Sequence, residues 1–402
     1  MRVLCTTHGS PSHGRAQLPL LRALAKAGHQ VQVVTNDDLV HVFAEDDVQV
    51  TPALPEFDPT SRLGPYLAEV QKIADMNERM AELSRLMQRT LAGPNIKPHL
   101  DVLLPLARDF RPDVILRDGM DMAAVLTAEL LGIPQLPTPS GFSNIMNPAE
   151  VLPELNNRRT ELGLPVNEDP LSLVAHGRVD YVPPAYSFAQ HLPTSWAYRQ
   201  TVDVERRTAL PEWAAELPTD RPLVYAAIGT ALPMLHNRKS DQPTPLPVEF
   251  PDPIESLGAI LGAVAELDDC TVVVSTSGIP VDTAGVPGHV HVAERVPQPL
   301  LLESVDLFLT HGGFNSIREA MRTATPLAVL PHFGDQHANA DRVEKLGLGR
   351  HITDRSAAGI ADTCRTLLAD PAPRARARSA RLAMLTLPEV EQAVGDLEGI
   401  AG

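Results

Sequence analysis

Two hydrophobic rhythms alternate along this chain. Short unbroken apolar runs are followed by stretches in which apolar residues return every third or fourth position. A run from Arg2 to Thr7, a helical stretch from about Ala16 to Ala27 and a second run from Gln30 to Thr35 form a strand–helix–strand unit. Such a unit implies a parallel sheet with a right-handed crossover. Residues 44–65 are rich in Pro and Asp and read as loop. From Tyr66 to Leu91, the residues Leu67, Val70, Ile73, Met80, Leu83, Met87 and Leu91 recur at helical spacing, as one long amphipathic helix or two joined. Their methionine-bearing face is either ordinary core or the wall of an adaptable apolar pocket. Asp113–Arg117 is a further strand, and Met120–Leu131 a helix after it. Residues 134–220 resist assignment, because Pro183, Pro184 and Pro193 interrupt any long element.

The alternation resumes at Leu223. LVYAAIGT is a strand ending in Gly229 and Thr230, and a Pro-rich loop over 231–253 reads as a flap. A helix from Ile254 to Leu267, the strands TVVVST and VHVAERV, a strand Asp306–Thr310, a helix, and a strand Pro326–Leu330 follow. Two helices between Ala357 and Leu387 carry an Arg-rich solvated face, and Pro388–Ile400 is a last helix. Two doubly wound parallel sheets explain this order, and at 402 residues two domains are the default.

Composition narrows the partners. The formal charge of −16, from 34 basic and 50 acidic residues, argues against a nucleic-acid or anionic-membrane partner, since phosphate contacts need a basic surface. Cys5, Cys270 and Cys364 show no metal or redox spacing, and no stretch approaches the ~20 apolar residues of a membrane span. A reduced, soluble, cytoplasmic protein is expected, with no membrane span; a homodimer is left open.

The candidate chemistry lies at strand ends, where parallel sheets place ligands. In LTHGGFNSIREAMRTATPLAVLPHFGDQHANA, a strand runs into His311-Gly312-Gly313 and then into a helix opening with Asn315 and Ser316. Glycines allow close backbone approach, capping side chains and the helix dipole favour an anion, and Glu319, one turn on, can accept hydrogen bonds from a diol. The next strand ends in PHFGDQ, presenting Asp335 and Gln336. Ser316 and Glu319 alone could equally be a capping box. Together the two strand ends suit a nucleotide sugar.

HGGFNSIREA followed by DQ resembles the donor-binding signature of the GT-B nucleotide-sugar glycosyltransferases, the glycosyltransferase family 1 group that includes plant secondary-metabolite and bacterial antibiotic enzymes. The N-terminus resembles that family too, since His13 and the Gly28-His29 pair keep its sixteen-residue spacing, although Ser12 replaces its Gly and Ala16 its Pro. The resemblance implies an α/β GT-B fold in which two Rossmann-like domains face each other across a cleft and the C-terminal helix crosses back to the N-terminal domain. Expected boundaries are 1–210 for acceptor binding, 211–222 as linker, 223–386 for the donor and 387–402 for the returning helix.

The resemblance further implies that His13 is a general base oriented by Asp118, with Asp121 the second candidate and helix capping the alternative role. His8 is a rival to His13, or plainly solvent-exposed. Gln298 and the backbone of Val296 would meet the nucleoside. Arg295 stands where plant members have Trp, so the base is left open between UDP and dTDP. His311, Gly312, Gly313, Asn315 and Ser316 would stabilise the leaving diphosphate, Glu319 the ribose, and Asp335 and Gln336 the sugar hydroxyls; Gly229 and Thr230 join the donor set. No Asp-x-Asp motif stands at a suitable strand end, so neither a metal nor another cofactor is expected. The reaction would invert the anomeric centre, moving sugar to a hydrophobic acceptor such as a polyketide or macrolide aglycone. The alternatives are a nucleotide-sugar epimerase on the same fold and a non-catalytic auxiliary protein.

Overall fold

The computed structural model describes residues 1–56, 69–194, 196–199, 208–239 and 251–402. The chain divides into two compact units; Met1–Arg199 and Pro388–Gly402 belong to the first. Among the described residues, unit 1 has five parallel strands: β1 Arg2–Thr6, β2 Gln30–Thr35, β3 Gln49–Pro52, β4 Val114–Arg117 and β5 Gln135–Pro137. They lie in the order β3-β2-β1-β4-β5. Its helices are α1 Pro11–Lys26, α2 Met76–Thr90, α3 Lys97–Phe110, α4 Met122–Leu131, α5 Gly141–Ile145 and α6 Pro148–Glu161, with a small parallel pair β6 Val179–Asp180 and β7 Trp196–Ala197.

Unit 2 has six parallel strands among its described residues: β8 Leu223–Ala227, β9 Thr271–Ser275, β10 Val290–Ala293, β11 Leu307–Thr310, β12 Leu327–Val329 and β13 Gly349–His351. Their order is β10-β9-β8-β11-β12-β13. The helices are α7 Ala231–Lys239, α8 Pro253–Ala265, α9 Gln298–Leu301, α10 Phe314–Thr323, α11 Gln336–Leu346, α12 Ala357–Ala369 and α13 Pro371–Leu385. Val224, Ala226, Val272, Val274, Leu307 and Leu309 are buried between the sheet and its helices. The final helix, α14 Gln392–Ala401, returns to unit 1, where Asp396 accepts a hydrogen bond from Tyr198 at 2.8 Å and Glu398 lies 3.1 Å from His29.

In each sheet the strand order reverses once, between β1 and β4 in unit 1 and between β8 and β11 in unit 2. Helices leaving the two strands depart in opposite directions there, so a crevice opens at the carboxyl ends. His13 and Asp118 follow β1 and β4; Gly229 and His311 follow β8 and β11.

Several sequence expectations are corrected. Helix α1 begins at Pro11, five residues earlier than expected, because a proline at the first helical position is already set to helical φ; His13 therefore stands in a helical first turn, not in a loop. Gln49–Pro52, within the expected loop, is an edge strand held to β2. Of the two readings for 66–91, one helix or two, the described residues show two pieces: 69–70 are helical, 71–75 break the helix, and Met76–Thr90 follows, while 66–68 lie outside the described residues. In the expected flap, 231–239 is helix α7, and 240–250 lies outside the described residues. Among the described residues no helix is long and apolar enough to cross a membrane.

Candidate active site

In unit 1, α1 is locked one turn beyond His13. Gln17 Nε2 donates to the Thr6 carbonyl at 3.1 Å and to Thr138 Oγ1 at 3.0 Å, tying the helix to the ends of β1 and β5. Gly14 lets the helix close on Phe43 and Val42, each 3.0 Å from where a Cβ would stand. His13 is thereby held with Nδ1 2.7 Å from Asp118 Oδ2. Gly9, at φ +87°, lies against His13 and Met120: a Cβ there would stand 3.5 Å from His13 Cε1 and 3.2 Å from Met120 Cε.

Asp118 is fully buried. Burial alone would raise its pKa, but the facing His13 and His8 and the hydrogen bonds from His13 and from the Met120 amide, 3.0 Å away, hold it well below the usual carboxylate range. It is therefore ionised and accepts. The alternative capping role belongs to its neighbour: Asp121 Oδ1 accepts from the Ala124 amide at 3.0 Å and starts α4, which leaves Asp118 for His13. His8 is not solvent-exposed as expected; it is 1% accessible, with its ring 5.8 Å from that of His99.

In unit 2, the His311 ring fits between two glycines. A Cβ on Gly229 would lie 2.3 Å from it and one on Gly313 2.4 Å. Burial pushes His311 down to about 4, against a backbone contact from Ala227, so the imidazole is neutral near pH 7. Gly312 has φ +86°, and a Cβ there would meet Val329 at 2.7 Å. Asn315 and Ser316 do not cap α10 as expected: its N-cap is Gly313, with no side-chain cap. A glycine in that place lets backbone amides face an incoming anion without a side chain competing for them. Asn315 instead accepts from Arg318, whose guanidinium lies over Phe314, and Ser316 Oγ accepts from Gln298 Nε2 at 3.1 Å. Gln298 Nε2 also donates to Glu319 Oε2 at 2.6 Å, so Gln298, Ser316 and Glu319 form one hydrogen-bonded group. Val296 is buried, while Arg295 and Thr230 are exposed.

Asp335 and Gln336 lie at the start of α11. The Gln336 side-chain carbonyl accepts from the His332 and Phe333 amides at 2.8 and 3.2 Å, so that end shapes its own loop. Residues without a local signature complete the scaffold. Asn339 donates to the Gly312 carbonyl at 2.9 Å and to Asp335 Oδ2 at 2.6 Å, joining the two loops. Arg355 Nη2 donates to His332 Nδ1 at 3.0 Å; since arginine only donates, the His332 proton sits on Nε2. Burial first, then His311, Arg355 and His337, push His332 down to about 3. Arg117, also unanticipated, is buried behind Asp118, and burial lowers it to about 10 against the pull of Asp121 and Asp118, so it stays charged. Among the described residues no three His, Cys, Asp or Glu side chains gather into a metal-binding group.

Comparison with known proteins gives two family matches. The N-terminal domain of the erythromycin biosynthesis protein CIII-like family matches residues 22–229, and its C-terminal domain matches 258–400. The L-demethylnoviosyl transferase of Streptomyces niveus is 26% identical over 383 residues, covering 94% of this chain and 92% of that one. The 3-alpha-mycarosylerythronolide B desosaminyl transferase of Saccharopolyspora erythraea is 24% identical, covering 100% and 98%. Among solved structures, the spinosyn rhamnosyltransferase SpnG complexed with thymidine diphosphate is similar at a TM-score of 0.74 and 22% identity, over 99% of this chain and 100% of that one. The glycosyltransferase SnogD of Streptomyces nogalater is similar at 0.70 and 23%, over 100% and 99%. These likenesses identify the fold as GT-B.

Proposed function

This chain belongs to the erythromycin biosynthesis protein CIII-like family of natural-product glycosyltransferases, which use nucleotide-sugar donors, and from that premise we propose a specific reaction for it. It transfers a sugar from a dTDP-sugar to a hydroxyl of a hydrophobic natural-product aglycone, with inversion, using His13 as base. The choice of dTDP over UDP rests on the thymidine diphosphate carried by similar structures. The observation that carries the reading is the 2.7 Å contact between His13 Nδ1 and Asp118 Oδ2.

Ionised Asp118 can only accept, so His13 is protonated on Nδ1 and its Nε2 lone pair is the base. The acceptor hydroxyl gives its proton to Nε2 as its oxygen bonds to the anomeric carbon. The bond from that carbon to the diphosphate breaks, and its electron pair leaves with the nucleotide. Asp118 stabilises the imidazolium that results. Displacement in one step from the face opposite the leaving group inverts the centre. Met120, which like the His13 ring lies against Gly9, supports an apolar acceptor.

For the leaving group, the amides opening α10, the neutral His311 ring, Asn315 and Ser316 supply hydrogen bonds where negative charge grows. Glu319, with Gln298, takes the ribose diol, and Asp335 and Gln336 the sugar. His13→Ala should lower kcat by about 10²–10⁴-fold while calorimetry with thymidine diphosphate shows unchanged affinity. Parent-like turnover by that variant would remove His13 as base. Epimerised sugar from donor incubated without acceptor would replace transfer by isomerisation.

A further inference from the structure

Arg117 is the last residue of β4, immediately before Asp118, and it is 0% accessible. Every part of its guanidinium donates. Nε reaches Gln135 Oε1 at 2.7 Å, Nη1 reaches the carbonyls of Asp118 and Gly119, both at 3.1 Å, and Nη2 reaches the Leu173 carbonyl at 2.8 Å. Gln135 Nε2 donates to that same Leu173 carbonyl at 2.8 Å. Thr138 Oγ1 donates to the carbonyl of Arg117 itself at 3.0 Å. An apolar side chain, like those of Ile115 and Leu116 beside it, would fill this place without the desolvation cost of a buried cation. What the guanidinium adds is direction: donors fixed in one plane, fastening two successive carbonyls.

The other side of the same turn is also closed. Ser140 and Ser143 hydroxyls lie 2.9 Å apart, and a Cβ added to Gly119 would come within 1.8 Å of Ser143 Oγ and 2.5 Å of Ser140 Oγ. Asp118 uses Oδ1 on the Met120 amide, within this turn, so the placing of Oδ2 follows the turn backbone. We propose that Arg117 is a positioning residue: with the Ser140–Ser143 pair it clamps the Asp118-Gly119 turn so that Asp118 Oδ2 meets His13 Nδ1. Through Leu173 the clamp also ties that turn to the segment Pro170–Val174. The inference rests on reading His13 as the base.

A clamp and a bare charge predict opposite signs. If Arg117 acts only as a nearby cation, removing it makes protonated His13 easier to form. If it holds Asp118 in place, removing it takes the carboxylate away and makes protonated His13 harder to form. The experiment is an NMR pH titration of the His13 ring in the full-length protein with labelled histidine, its signal assigned by loss in His13→Gln. Arg117→Gln and Arg117→Lys should both move the His13 midpoint to lower pH, the lysine variant doing so with the charge retained. Gly119→Ala should do the same from the opposite side, and adding Ser140→Ala and Ser143→Ala should return the midpoint toward the parent. A thermal melt confirms that each variant is folded; if Arg117→Gln is not, Arg117→Lys and the Gly119 series decide. An unmoved midpoint in folded Arg117→Lys and Gly119→Ala, or an upward move in Arg117→Gln, overturns the clamp. Sugar transfer by His13→Ala would end the base reading yet leave the titration result standing.

Discussion

His311 and His332 are kept neutral by burial, and this makes them sensors of acid in unit 2. An unfolded histidine titrates near 6.5, whereas these are lowered to about 4 and about 3 in the fold. The folded state thus binds fewer protons below pH ~6.5. The stability involved is complete above that pH and is lost as pH falls toward the folded values, at about 1.4 kcal/mol per unit for each ring. At pH 5 His332 alone should cost roughly 2 kcal/mol relative to pH 7. His332→Gln should therefore shrink the drop in Tm between pH 7 and pH 5, measured by calorimetry; an equal drop in parent and variant would refute the assignment. Individual residues were unevenly legible in sequence. His13 was singled out by its family-like spacing to Gly28-His29 and Asp118 by its place at a strand end, but Arg117, whose partners Gln135 and Leu173 lie 18 and 56 residues away, had no local sign. Asp118 and Asp121, three residues apart, could not be told apart as cap and partner until the start of α4 was known.

At the scale of elements, the proposed donor site depends on how closely β8 and β11 bring their loops together. Gly229, at φ +73°, is where the chain leaving β8 passes His311. Gly229→Ala should force the ring out of its slot and weaken thymidine diphosphate binding at least about tenfold, a loss of about 1.4 kcal/mol, while the His13 NMR signal stays in place. Unchanged affinity by calorimetry would show that His311 contributes nothing to the nucleotide. The strands β1, β2, β4, β8, β9, β10, β11 and β12 were legible to within a few residues, because buried parallel strands are continuous apolar runs, whereas the short strands β5 and β13 and the helices α3 and α11 were not assigned. The edge strand Gln49–Pro52 was not, since polar Gln49, Thr51 and the closing Pro52 carry no such run. The start of α10 was misread for a different reason: Asn and Ser are favoured caps, but Gly313 already occupied that place.

Across the whole molecule, the last residues stabilise the unit that the chain left some 190 residues earlier, between Arg199 and Pro388. Tyr198 and His29 both find partners on α14, and Arg199 pairs with Glu389. Truncation after Leu387 should lower the unfolding midpoint of unit 1 while thymidine diphosphate affinity, assigned to unit 2 by the proposed function, is unchanged. Two resolved calorimetric transitions, with and without ligand, would test this, and a loss confined to the ligand-shifted transition would contradict it.

The alternation of apolar runs with helical spacing was enough to require two parallel doubly wound sheets, and parallel topology in turn pointed to the loops at the carboxyl ends as the candidate ligand loops. Local pattern suffices there because strand burial and helix amphipathicity are properties of neighbouring residues. Which carboxylate meets His13, what donates to the turn that carries it, and why His311 is neutral were decided only by tertiary structure. Those outcomes depend on contacts between residues remote in sequence, 105 positions apart for His13 and Asp118, and on desolvation that exists only once the core has closed.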